Sequence, residues 1–267
     1  MKNFKKWITS PGATIALFGL AAGLLIFSTL GSAWAALRIF SETYKGHVEL
    51  YDIGVTLMEN GQAVGSRDHK KDSQDEWDTT SGELLKNMLA ENEEFVPGKA
   101  YKEEISCANT GTIDEYVRIT LYKYWVNPQG EKVFTSSANG DLTTQGLAPE
   151  LIKFTFPNEG AWVLDTKNSA ETEERQIYYY TKLLKSGSDT VGTPLTGTVS
   201  IDPSVAQKVT KIVSDDGKTI TTKYNYDGWK FCIEATVDAV QDHNAEDAIR
   251  SAWGRDVSIS GGTLQLN

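Results

Sequence analysis

The stretch EYVRITLYKYWV, Glu115 to Val126, is the clearest strand in the chain, and its reading decides the fold. Val117, Ile119 and Leu121 share one face, while Arg118, Thr120, Tyr122 and Tyr124 share the other. A repeat of two puts alternate side chains on opposite faces of a pleated backbone, and β-branched and aromatic residues suit that surface. Asn127-Pro128-Gln129-Gly130 then turns the chain.

The flanks repeat the pattern. Upstream, Ala100 to Ala108 reads as a strand that follows the turn Pro97-Gly98 and is separated from the central one by Asn109-Thr110-Gly111-Thr112. Leu37 to Met58 reads as extended, with Ile53, Val55 and Leu57 alternating against Gly54 and Thr56 before the tight turn Asn60-Gly61. The polar Gly65 to Thr80 predicts a long surface loop. Ser81 is placed to cap a short helix whose Leu84, Leu85, Met88 and Leu89 fall at helical spacing.

Downstream, Phe134 to Gly146 predicts a second long loop. Short strands are expected at Leu151 to Phe156, Ala161 to Asp165, Thr196 to Ile201 and Lys218 to Tyr226. Val205 to Val213 reads either as a short helix or as a strand. Arg175 to Leu184 carries Tyr178-Tyr179-Tyr180, aromatic on both faces, which assigns it to the core. Trp229 to Gln241 presents Phe231, Ile233, Ala235 and Val237 on one face. Asn244 is placed to cap a helix with Glu246 and Asp247 in its first turn and Gly254 as its stop. Many short strands and two short helices predict an all-β, mainly antiparallel, two-sheet sandwich.

The first residues bear on location. Lys2, Lys5 and Lys6 precede an uncharged run from Ala13 to Gly31, and Ala33-Trp34-Ala35 then offers a small-x-small cleavage site ahead of Ala36. This predicts a signal peptide over 1–35 and one exported domain over 36–267, with a retained membrane anchor as the alternative. Arg38 and Lys45 are the only basic residues between Ala36 and Gly46, a weak stop-transfer signal. The chain carries 26 basic and 36 acidic residues, so loss of three leader lysines leaves 23 against 36, a net −13. Such an acidic surface repels phosphate backbones and argues against nucleic acid as a partner.

Catalytic chemistry finds little support in the pattern. His47, His69 and His243 lack the His-Glu-x-x-His spacing of zinc hydrolases, there is no Gly-x-Ser-x-Gly elbow, and no glycine-rich loop joins a strand to a helix. The acidic Asp72 to Asp78 does not match a calcium-binding EF-hand loop. Glu93-Glu94, Glu103-Glu104 and Asp215-Asp216 read as solvated charge. Cys107 shares the face of Ile105, whereas Cys232 falls opposite Phe231 and Ile233, which argues against a disulfide between them. No catalytic residue, metal ligand or cofactor is assigned.

Several of these tracts resemble the TasA and camelysin (CalY) family of exported proteins. The leader end Ser32-Ala33-Trp34-Ala35-Ala36 is similar to that group, as is Val96-Pro97-Gly98 followed by a strand and Asn109-Thr110-Gly111-Thr112. The strand Trp229 to Val240 running into Asn244 to Gly254 resembles its closing part, and Tyr178 to Gly187 a tract of its clostridial-type members. The two long loops have no counterpart. The resemblance implies a jelly-roll-like sandwich, cut by a SipW-type signal peptidase and secreted to the surface or biofilm matrix of a Gram-positive cell. It also implies fibres in which each subunit lends an N-terminal strand to the next, with other copies of the chain and accessory matrix proteins as partners. Cleavage after Ala35 would free Ala36, Leu37, Arg38, Ile39 and Phe40 as that donor, with Leu37 and Ile39 projecting to one side. The same alternation suits an ordinary first strand of its own subunit. The camelysin resemblance further implies a metal-dependent protease, for which no metal motif is present, and a membrane-tethered monomer is the remaining alternative.

Overall fold

The computed structural model describes residues 52–69, 77–86, 88–91, 93–133, 147–187, 189–207, 209–214 and 220–267. The expected leader, the cleavage site at Ala33, Ala35 and Ala36, the segment Ala36 to Phe40, His47 and the Phe134 to Gly146 loop lie outside them. Among the described residues sixteen strands, all paired antiparallel, dominate.

The first large sheet has the order β3-β2-β1-β5, from β1 (Gly54–Glu59), β2 (Gln62–His69), β3 (Trp77–Thr79) and β5 (Ile105–Asn109). Asn60 and Gly61 join β1 to β2 with φ of 50° and 82°. A two-residue turn with both φ positive matches the right-handed twist of its strands, and Asn-Gly reaches it at least cost. The strand β4 (Tyr101–Lys102) precedes β5.

The second large sheet has the order β14-β6-β10-β9, with β6 (Glu115–Val126) flanked by β14 (Lys230–Gln241) and β10 (Arg175–Tyr180), and β9 (Trp162–Leu164) outermost. A short β7 (Lys132–Val133) adds to β6. The twelve residues of β14 and β6 pair without a break from Lys230↔Val126 to Gln241↔Glu115. Three small sheets are also present among the described residues: β4 and β8 (Ile152–Thr155) on either side of β11 (Thr198–Ile201), the hairpin β12 (Val209–Val213) with β13 (Ile220–Tyr224), and the hairpin β15 (Val257–Ser260) with β16 (Thr263–Leu266).

The two large sheets share one core. Val55, Leu57, Ile105 and Cys107 from the first meet Val117, Ile119, Leu121, Trp125, Tyr178, Tyr180, Ile233 and Val237 from the second. The inward set of β6 is therefore the one its alternation predicts, and Phe231 and Ala235 of β14 pack against it half-buried. The opposite face of the second sheet holds a smaller cluster, in which Tyr116, Tyr179 and Val240 meet Ile249 of α2 (Ala245–Trp253) and Leu264. The tyrosine triplet thus serves two cores, Tyr179 on one side and Tyr178 with Tyr180 on the other.

Five readings change. Gly65 to Thr80 is not all loop, because β2 runs to His69 and Trp77–Thr79 pairs with it. Its polar composition reflects an outer strand rather than the lack of one. No helix forms among the described residues of 81–94; Leu85 takes φ 65°, which interrupts helical geometry, and its N–H goes to Glu59 Oε1 at 2.6 Å. The ambiguous 205–213 resolves into both a short helix, α1 (Ser204–Gln207), and β12. Asn244 stands at φ 53° without a side-chain cap bond, although Gly254 ends the helix as predicted by donating to Arg250 O. Finally, Glu103 is 0% exposed rather than solvated.

Candidate functional site

Among the described residues the first sheet extends two strands, β2 and β3, beyond β1, whereas the second ends at β14, which packs opposite β1. Among the described residues β14 pairs with β6 alone. Its other margin carries backbone N–H and C=O groups that point away from β6, the ordinary condition of a sheet edge. The step between the two sheets leaves a groove of about 930 Å³ where a further strand would lie.

The groove floor is the inner face of β14, Phe231, Ile233, Ala235 and Val237, and its far wall is Leu57, Val64 and Gly65 of the first sheet. The segment Thr79 to Leu85 forms the rim. Gly65 faces Leu57 across the strand pair and has no side chain to fill the space, while a Cβ there would press on Thr80 O at 2.9 Å. Ala235, opposite Leu121, leaves the floor shallow at its centre. The six steps from Phe231 to Val237 span roughly 20 Å at the rise of an extended chain, enough for a strand of about five or six residues.

Both ends of the groove are built. At one end Arg67 Nη1 lies 2.8 Å from Asp238 Oδ1, and Arg118 Nε lies 3.1 Å from Asp238 Oδ2. Asp238 stands on the outward face of β14, directly opposite Arg118, so Arg67 reaches it by passing the β14 margin and closes that end. At the other end the Leu85 N–H donates to Glu59, the last inward residue of β1. Thr80 anchors the rim between them by donating its N–H to Ser66 O and accepting from Ser66 N–H, each at 2.9 Å. The outer side of the floor is polar: Tyr124 donates its hydroxyl to Glu234, and that bond holds the Tyr124 phenol above its usual range.

Buried ionisable groups lie close by. Glu103 follows the inward parity of Ile105 and Cys107, and neither of its carboxyl oxygens has a hydrogen-bond partner among the described residues. Glu115, at the start of β6, is equally buried, and desolvation followed by the charge of Asp68 pushes its carboxyl up to about 9. The folded chain then holds this proton more tightly than the unfolded chain, so stability falls as pH rises from the ordinary 4.5 towards 9. Replacing Glu115 with Gln removes that loss: the melting temperature of Glu115→Gln should exceed wild type at pH 8 and match it at pH 4. A wild-type advantage at pH 8 would contradict this. Lys123 also points inward and is held by Ile152 O at 3.1 Å and Glu173 at 2.6 Å.

Of the histidines weighed for catalysis, only His243 has a described side chain. His243 is exposed on the turn before α2, and among the described residues no group of three or more His, Cys, Asp or Glu side chains is placed to hold a metal. Cys107 is buried in the core, Cys232 stands on the outward face of β14, and both are free. Trp125 is buried and donates to Ala148 O, while Tyr122 and Tyr124 on the opposite face of β6 are half-exposed. No described helix is long and apolar enough to cross a membrane. Sequence reasoning missed Glu59, Arg67, Gly65 and Glu103; only Glu103 announced itself, as a charge at an inward parity. Compared with known proteins, the chain matches no family model, no curated protein and no solved structure.

Proposed function

We propose that this chain is a secreted, non-enzymatic structural protein, a jelly-roll-like sandwich that polymerises by accepting an extended segment of a second copy along β14. One observation carries the reading: among the described residues the second sheet stops at β14 while the first continues through β2 and β3, and the space between them is a strand-sized groove with an apolar floor. A strand laid there satisfies the margin's N–H and C=O groups and buries its inward side chains, which is how β-augmentation supplies both affinity and register.

The occupant is Ala36 to Ser41 of the neighbouring copy, released when a signal peptidase of the SipW type cuts after Ala35. Its length fits the floor, Leu37 and Ile39 supply inward apolar groups, and Arg38 faces the acidic outer side that carries Glu234. The product is a fibre at the cell surface or in an extracellular matrix, with the resemblance to the TasA group as independent support.

The test is electron microscopy and sedimentation of the mature chain beginning at Ala36, beside a chain lacking Ala36 to Ser41. Filaments from the first and monomers from the second are expected. Equal assembly by both would end the donor assignment. Monomers from both, with the open margin filled by the chain's own first strand, would end the polymer reading.

A further inference from the structure

The groove has an ionisable device at its Leu85 end. Glu59 faces Ile105 across the β1–β5 pair, and Glu103 lies two residues along the same face, which makes the two carboxyls diagonal neighbours. Diagonal pairs in a sheet lie within reach of long side chains. Glu59 simultaneously accepts the Leu85 N–H at 2.6 Å, and Leu85 is held at φ 65°, a conformation that costs a branched residue free energy. Leu84 and Leu85 are rim residues of the groove and pack on the main core. The Leu85 end of the rim, beyond the Thr80 anchor, is therefore held by one carboxylate whose neighbour is a buried acid.

We infer that Glu59 and Glu103 form a proton-dependent latch on the groove rim. With Glu103 protonated, Glu59 is free to hold the Leu85 backbone and the rim is closed against the floor. Loss of that proton sets two negative charges side by side away from water, and the arrangement that relieves them is withdrawal of Glu59 and release of Leu85. This deepens the strand-accepting reading and rests on it only for the consequence to assembly, since a released rim withdraws apolar contacts from an inserted strand.

The surroundings leave Glu103 little other relief. From its own strand segment, Lys102 and Glu104 stand on the opposite face and pair with each other at 3.0 Å. Thr196 beside β11 bonds the Glu103 backbone carbonyl, not its carboxyl. Phe231 and Ile233 of β14, in the same core cluster as Ile105, are apolar; Lys123, opposite Ile233, is held by Ile152 O and Glu173; and Glu83 and Lys86 beside the two rim leucines are exposed. Burial first, and then the neighbouring charge of Glu59, push the Glu103 carboxyl up to about 8 from an ordinary 4.5. The closed latch binds the proton more tightly than the released one. Closure is thus favoured at low pH and weakens, by at most tenfold per pH unit for a single proton, as pH rises towards about 8.

The experiment is amide hydrogen exchange on the mature chain kept monomeric by removal of Ala36 to Ser41, expressed as protection factors so that the intrinsic pH dependence cancels. Between pH 5.5 and 7.5 the protection of Leu85 should fall at least tenfold in wild type and less than twofold in Glu103→Gln, which stays neutral. Glu115→Gln serves as a buried-acid control and should keep the wild-type slope. A wild-type slope in Glu103→Gln, or a flat profile in Glu115→Gln, overturns the latch. Assembly is read separately on the chain beginning at Ala36: absence of filaments at every pH would end the strand-accepting reading and leave the latch to be judged by exchange alone.

Discussion

Tryptophan in place of Ala235 should block assembly while the chain stays folded. Ala235 sits at the centre of the groove floor, opposite Leu121 of β6, half-buried and with open space above it. An indole there occupies the volume that an inserted strand's side chains require. Forcing a strand against it costs about 1–3 kcal/mol of overpacking, which raises the critical concentration for fibres roughly five- to 150-fold. The isolated chain bears little of that cost, because the groove has room for the ring, so its melting temperature should move by no more than a few degrees. Sedimentation across a concentration series reads the first quantity and thermal unfolding the second. Thr236→Val, on the outward face of the same strand, should leave both near wild type. Fibres from Ala235→Trp at the wild-type critical concentration would remove β14 as the docking margin.

The largest expected loss of stability follows from Asp165→Ala. Asp165 is 0% exposed and its carboxylate lies 3.2 Å from Arg255 Nε, while Arg255 itself is only 6% exposed. The same carboxylate accepts from Asn168 Nδ2 at 2.8 Å and from the Lys167 N–H at 3.2 Å, which shapes the turn after β9. Removing it leaves a guanidinium buried without its counter-charge, a change that costs about 3–5 kcal/mol. For a domain of this size that corresponds to a fall in melting temperature of about 6–20 °C. The double variant Asp165→Ala with Arg255→Leu should recover most of it, since no lone buried charge then remains. Urea titration of the single and double variants decides the matter; a single-variant loss below about 1 kcal/mol would show that the Arg255 charge finds water or another acceptor.

How much was legible in advance varies by element. The long central strands were, because β6 and β14 bury one face on the main core and so alternate cleanly, with Val117, Ile119 and Leu121 inward on one and Ile233 and Val237 inward on the other. The tyrosine triplet, aromatic on both faces, read as core, and the structure adds that a separate cluster lies on each side of it. Outer strands were not. β2 and β3 are polar, and a strand whose neighbours lie largely on one side has no need of an apolar pattern on both faces, so Gly65 to Thr80 imitated a loop. Leu84, Leu85, Met88 and Leu89 had helical spacing but pack as irregular chain, because a side chain distant in sequence, Glu59, takes the backbone N–H of Leu85.

The sequence by itself determined the class of the fold, the inward face of each long strand, the turn at Asn60-Gly61 and the stop at Gly254, all of which depend on residues within a few positions of one another. Only the tertiary structure decided that β14 is the outermost described strand of its sheet, that a groove opens between it and β2, and that Glu59, Glu103 and Leu85 meet at its end. The physical reason is that alternation records which way a side chain points but not which strand lies alongside. Pairing is settled by contacts between residues far apart in the chain, such as Glu59 with Ile105 and Arg67 with Asp238, and no local pattern carries them.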